Sequence, residues 1–343
     1  MSVQISSGSL ESHQADLIAL FKRYLAPDFD ENRFDWLYRQ SPYGPARVWV
    51  ASDHGTGTIV GAAAAFPRSF YFQGTRKMGW VLGDFCLAEQ YRSLGPAIQL
   101  QRACLNAIVA PYEFCYDFPS KAMMAIYKRL GIIQTSSLVR WAKPLRIENR
   151  LESVVRSKSV ARTLGRIGNV LLASRGWKGP KDACEVQLHQ GPCGEEFTIL
   201  DQLLGKNTGV RAERTAQYVN WRYLASPSKA HAILVARRNG VLAGYSVVRN
   251  EPEGARIVDL VSVDEPAVIA RLIDGAVRTS KLGGAKTVSL ATGESHTWSR
   301  LFERAGFRRR ERSPIVVVTS TTTTIKDTDF RTDCRLSEGD RDS

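Results

Sequence analysis

Apolar positions fall into two strand-length runs broken by a turn over residues 46–66, "ARVWVASDHGTGTIVGAAAAF". The segment "DHGTG" between them is a hairpin signal. The same grammar returns over 230–248, "AHAILVARRNGVLAGYSVV", with "RRNG" as the turn. After each hairpin comes another strand, "VLGDFCL" (81–87) and "RIVDLVSV" (256–263). In "AIQLQRACLNAIVA" (97–110) the apolar residues recur at helical spacing, which predicts a helix. "SKAMMAIYKRLGI" (120–132) predicts a second helix with Gly131 as its C-terminal cap. "SLVRWAKPL" (137–145) and "SPIVVV" (313–318) read as closing strands.

These runs are two copies of one unit. "DWLYRQSP" (35–42) and "NWRYLASP" (220–227) align Trp36 with Trp221, Tyr38 with Tyr223 and Pro42 with Pro227, all 185 residues apart. Further on, Asp84 aligns with Asp259, Tyr127 with Phe302 and Gly131 with Gly306, each 175 residues apart. A period this long indicates a duplicated α/β unit rather than a solenoid. Each copy is expected to run helix, helix, two antiparallel strands, central strand, helix, strand, helix and closing strand. The expected units are 1–145, a basic amphipathic helical connector over 146–185, 186–318, and a polar, disordered tail over 319–343. The connector is expected to pack across the junction, with peripheral membrane contact as the other reading.

Composition narrows the class. A chain of 343 residues exceeds one ordinary core, and its 43% hydrophobic and 24% charged residues are those of a globular protein. No apolar run is long enough to cross a bilayer and the first 20 residues lack a secretion signal, so a cytoplasmic location is expected. The six cysteines lack metal-ligand spacing; they read as buried free thiols, with the tail cysteine a candidate for exposure, and no metal site is expected. A net charge of +13 favours anionic partners without choosing among them.

The stretch "QYRSLGPAIQLQRACL" (90–105) sits where a strand hands over to a helix. Gly95 offers backbone freedom and close approach, Pro96 suits a first helical turn, and Ala97 is small. Orphan amides and the positive helix end would then face one point, with Arg92 adding charge, a place for a diphosphate. Arg92, Gly95 and Ala97 resemble, position by position, the Q/R-x-x-G-x-G/A loop of the GNAT superfamily of acyl-CoA transferases. Tyr127 and Gly131 match its last helix, whereas Ser120, Met123 and Ile132 replace the usual Asn, Ala and Phe, and Pro96 removes one donor from the loop.

The resemblance implies an α/β (α+β) fold of two tandem GNAT-like domains, each a mixed twisted sheet flanked by helices. It also implies that two strands splay into a V. The pantetheine arm of an acyl-CoA, acetyl-CoA being the first choice, would lie along Phe85, Cys86 and Leu87. The loop Arg92, Ser93, Leu94, Gly95, Pro96 and Ala97 would hold the pyrophosphate. Tyr127 is the matching residue for protonating the departing thiolate. Asp84 is the first candidate for the base that deprotonates the amine, with Glu89 and Asp117 as alternatives. In the second copy "DEPAVIARL" lacks the glycine and arginine, and Phe302 lacks a hydroxyl, so the first copy is expected to be the active one. The expected activity is N-acyl transfer to a small or cell-envelope-precursor amine. An aminoacyl-tRNA-dependent transfer of the peptidoglycan-bridge type, which would bring tRNA as partner, and a non-catalytic scaffold are the alternatives; nucleic acid is otherwise not expected.

Overall fold

The computed structural model describes residues 2–109, 114–146, 179–180, 183–206, 209–227, 230–252, 254–320, 325, 328–332 and 334–341. The connector expected over 146–185 therefore lies almost wholly outside the described residues. The first half runs β1 (Val3–Gly8), α1 (Gln14–Tyr24), α2 (Glu31–Phe34), β2 (Arg47–Asp53), β3 (Ile59–Phe72), β4 (Thr75–Leu87), α3 (Leu94–Val109), β5 (Phe114–Asp117), α4 (Lys121–Arg129) and β6 (Ser136–Pro144). The second runs β7 (Glu185–Leu188), α5 (Glu195–Gly205), β8 (Val210–Ala212), α6 (Ala216–Val219), β9 (His231–Arg238), β10 (Val241–Glu251), β11 (Gly254–Ser262), α7 (Pro266–Leu282), β12 (Thr287–Gly293), α8 (Ser299–Arg304) and β13 (Arg308–Thr319). The order expected from the hydrophobic pattern holds in both. What it missed are β1 and β7, edge strands with no fully buried position, and β8, only three residues long, so that none shows a strong alternation.

Local chemistry sets the helix ends. Asp30 caps α2 by accepting from the Arg33 amide at 2.8 Å, Ser120 caps α4 from Met123, and Thr215 caps α6 from Tyr218. Gly131 and Gly306 take positive φ of 77° and 90° at the matching helix ends. In both copies the amide one residue further donates back to the helix, Ile132 to the Tyr127 carbonyl and Phe307 to that of Phe302.

One continuous sheet carries both copies, in the order β1-β2-β3-β4-β5-β13-β6-β12-β11-β10-β9-β7. The closing strands are exchanged. β13, from the second copy, pairs with β5 through Val316↔Asp117, while β6, from the first, pairs with β12 through Leu290↔Trp141. Neither copy is thus the self-contained unit implied by boundaries at 145 and 186. Helices cover the sheet over apolar clusters, one of which joins Phe21, Phe34 and Tyr38 to Phe197, Tyr218 and Tyr223 of the other copy.

The duplicated tryptophans meet at the pseudo-symmetry centre. α2 and α6 each pass into a π-helical turn, Asp35–Arg39 and Asn220–Leu224. There Trp36 and Trp221 stack with centroids 5.4 Å apart, and each indole N–H donates to the other's carbonyl at 2.8 Å. Trp36→Ala is expected to remove about 3–5 kcal/mol of stability. Unfolding should remain one transition in calorimetry, because the exchanged strands tie both halves together; two resolved transitions would contradict that.

The tail departs from expectation. Instead of disorder beyond Thr319, Phe330, Cys334 and Leu336 are fully buried. Cys334, the candidate for exposure, is as buried as the other five cysteines, all of them free thiols. Gly293 donates to the Leu336 carbonyl at 3.0 Å, and Ser337 bridges to Thr292. Arg214, itself buried, ion-pairs both with Asp259 and with Asp340 of the tail at 2.6 Å. A Cβ on Gly339 would lie 2.3 Å from the Tyr223 hydroxyl, so only glycine lets the tail pass there. Polar composition was a poor guide because, among the described tail residues, Phe330, Leu336 and Asp340 are buried against partners far away in sequence.

Candidate active site

β4 and β5 run parallel only through Trp80↔Cys115 and Val81↔Tyr116. Beyond that the strands part, and a cleft of about 340 Å³ opens between them. A bulge drives the divergence. Ala62 pairs with Cys86 but Ala64 pairs with Gly83, which leaves one extra residue on β4, and Asp84 takes a positive φ of 45°. The copies share this device, since β11 shifts register beside Asp259.

In the second copy the corresponding space is filled. The volume lined by Asp259, Thr292 and Phe302 is about 50 Å³, and Ser337 of the tail forms part of its wall. The open cleft of the first copy is lined by Ala63, Leu82, Asp84, Phe85, Asp117 and Met123 among others.

Phe85 faces this cleft half-buried, whereas the side chains of Cys86 and Leu87 are buried. Burial pushes the Cys86 thiol up to about 12, which removes it as a nucleophile. The Leu87 carbonyl is occupied, accepting from Arg92 Nε at 2.9 Å. The Arg92 guanidinium also lies 5.2 Å from the Tyr24 ring, so the arginine is exposed yet held. Ser93, Leu94 and Gly95 are exposed at the start of α3. As first-turn amides, those of Leu94 and Gly95 have no intrahelical acceptor, while Pro96 has no N–H. Gly95 does not adopt positive φ; its contribution is the missing Cβ, with nothing within 4 Å of where one would stand. Ala97 is buried and donates to Ser93 at 3.4 Å.

The titratable candidates divide. Asp84 lines the cleft, and burial raises its pKa against the lowering effects of the Tyr38 hydrogen bond and of Arg33. The Tyr38 hydroxyl donates to its Oδ2 at 2.7 Å. Because Tyr223 makes the same bond to Asp259 at 2.8 Å, this pair fastens the π-helical turn to the bulge in both copies. That shared duty is structural. Glu89 sits on an exposed turn before α3.

Asp117, at the end of β5 on the cleft's opposite wall, has no such duplicate. Burial raises its pKa to about 6, against the lowering hydrogen bonds from Tyr127 and Phe118 and the charge of Arg341. Tyr127 is fully buried and its hydroxyl donates to Asp117 Oδ2 at 2.7 Å. Gln101 Nε2 in turn donates to the Tyr127 hydroxyl at 3.1 Å. The proton expected to face a departing thiolate is therefore committed to a carboxylate, behind the cleft wall. Helix α4 points Tyr127 inward because Met123, Ile126 and Tyr127 form its buried face.

Sequence reasoning passed over two contributors. Gln101, 2% exposed on α3, lines the cleft and orients Tyr127; a polar residue on an apolar helix face was its only signal. Arg341 reaches the cleft from the tail, and nothing local to residue 341 announces it.

No family model matches the chain. An uncharacterised protein of Bacillus subtilis, YkkB, is 22% identical over 121 residues, spanning 34% of this chain and 67% of its own. Among solved structures, a conserved protein of Enterococcus faecalis described as a probable N-acyltransferase superposes with a TM-score of 0.63 at 12% identity, over 93% of this chain and 72% of its own. A GCN5-related N-acetyltransferase of Anabaena variabilis gives 0.63 at 13% identity, over 92% and 72%. The N-myristoyltransferase of Saccharomyces cerevisiae with bound myristoyl-CoA gives 0.56 at 10% identity, over 92% and 82%. At these identities the likeness is one of fold: the chain has the mixed α/β architecture of GNAT-type proteins across most of its length. Among the described residues no helix is long and apolar enough to cross a membrane.

Proposed function

We propose that this protein is an N-acyltransferase that takes its acyl group from a CoA thioester bound in the cleft of the first copy. The observation that carries this reading is the stretch of β4 beyond Val81, which has no partner on its β5 side and leads through a short turn into the exposed first turn of α3. A pantetheine amide can pair with the free edge of such a strand, and a pyrophosphate can be met by the Leu94 and Gly95 amides with Arg92 alongside. The structures of similar fold include a protein with bound myristoyl-CoA, so acyl chains longer than acetyl belong among the donors to test.

Transfer forms a C–N bond and breaks the C–S bond, which requires a neutral amine and a proton for the thiolate. Asp117 is the group we assign to the amine's proton. Its pKa of about 6 leaves it ionised at neutral pH, yet far more basic than an exposed aspartate. Tyr127 and Gln101 hold it in place from behind, and the proton it collects is then at hand for the thiolate. Asp84 faces the same cleft while keeping its structural bond to Tyr38.

Because the tail occupies the second copy's cleft, titration calorimetry with a CoA thioester is expected to give one site per chain. Two equivalent sites would mean the tail leaves its cleft, and no binding at millimolar concentration would end the acyl-CoA reading.

A further inference from the structure

Arg341 is the cleft's one cationic wall among the described residues. Its backbone is fixed on both sides. The Asp340 carboxylate is held by Arg214 and by the Ser337 amide at 2.7 Å, and the Asp340 carbonyl accepts from the Tyr116 hydroxyl at 3.1 Å. The carbonyl of Arg341 itself accepts from Arg222. The guanidinium lies 5.2 Å from the Phe118 ring, next to Asp117. Its charge acts on Asp117, whose pKa it lowers, but it makes no close ion pair among the described residues. Glu338 reaches it only at 4.0 Å, and the buried Nε–H has no hydrogen-bond partner among the described residues. The side chain keeps 27% of its surface exposed, and it is this accessible part, not the sealed Nε–H, that a ligand in the cleft can meet.

We infer that Arg341 recognises the acceptor, taking a carboxylate carried by the amine that is acylated; this rests on the N-acyltransferase reading. The charges of the cleft choose the ligand class. Asp117 attracts an ammonium group on one side, where Asp84 offers a further acceptor, and Arg341 offers a planar fork that matches a carboxylate on the other. A neutral or dicationic amine would leave the guanidinium unmatched. A phosphate dianion would be repelled more strongly than a monoanion by the Asp117 carboxylate. A zwitterion of the amino-acid type satisfies all three groups. The tail therefore has a purpose beyond filling the second copy's cleft, since the anchored segment ends by supplying specificity to the first.

The test compares matched amines, each proteinogenic amino acid against its own carboxamide, with acetyl-CoA and a long-chain acyl-CoA as donors and released thiol as readout. For the best acceptor, the carboxylate form should be used at least about tenfold more efficiently, as expected for a charge-assisted bidentate contact. Arg341→Gln should erase that preference through KM, Arg341→Lys should keep part of it, and the rise in melting temperature with acyl-CoA should be the same in both variants as in the parent. Equal use of carboxamides, a preference that survives Arg341→Gln, or no amino-acid turnover despite intact acyl-CoA binding would overturn the assignment. Failure of the parent protein to bind any acyl-CoA would instead remove the acyltransferase reading, and this one with it.

Discussion

Asp117→Asn is expected to lower kcat/KM at pH 8 by about 10²–10⁴-fold, the range lost when a positioned proton acceptor is removed. The parent's kcat/KM should fall about tenfold per unit as pH drops below about 6, where the buried carboxyl takes up its proton. That acid limb should be missing from the variant's residual rate. Stability moves the other way. The folded carboxyl titrates near 6 and the unfolded one near 3.8, so Asp117's contribution is fully present below 3.8 and is lost as pH rises through 6. The asparagine variant, freed from burying a charge, should therefore melt no earlier than the parent at pH 8, which separates lost chemistry from lost fold. Tyr127→Phe removes a hydrogen bond that lowers the Asp117 pKa, so the limb should move upward rather than disappear. A rate at pH 8 unchanged by Asp117→Asn would assign the proton to another group.

The second large effect concerns the loop. Acyl-CoA at about 100 times its Kd should stabilise the native chain by about 2.7 kcal/mol, a shift of several degrees in melting temperature. Arg92→Glu should weaken that binding by about a hundredfold, because a charge-assisted contact is replaced by repulsion of the pyrophosphate. Arg92→Ala should fall between the two. Arg92 is exposed, and its link to the Leu87 carbonyl is a single hydrogen bond, so the unliganded melting temperature should change little. A full ligand-induced shift in the glutamate variant would move the phosphate site away from α3.

What the sequence by itself determined is local in origin. Hairpins, helix spans and the cap at Gly131 follow from periodicity and from backbone chemistry within a few residues. The duplication was equally legible, since Trp36 and Trp221, or Asp84 and Asp259, need only be aligned to be noticed. Only the tertiary structure decided where closing strands pair, because β6 and β13 carry the same apolar signal whichever neighbour they take. It also decided that the duplicated tryptophans stack on each other rather than each serving its own copy. The site divided along the same line. Arg92, Gly95 and Ala97 lie on one turn and could be read together, whereas Tyr127's proton goes to Asp117 because two elements converge there. Arg341 joins them from the far end of the chain, placed by buried ion pairs and hydrogen bonds whose partners are distant in sequence and leave no mark on their neighbours.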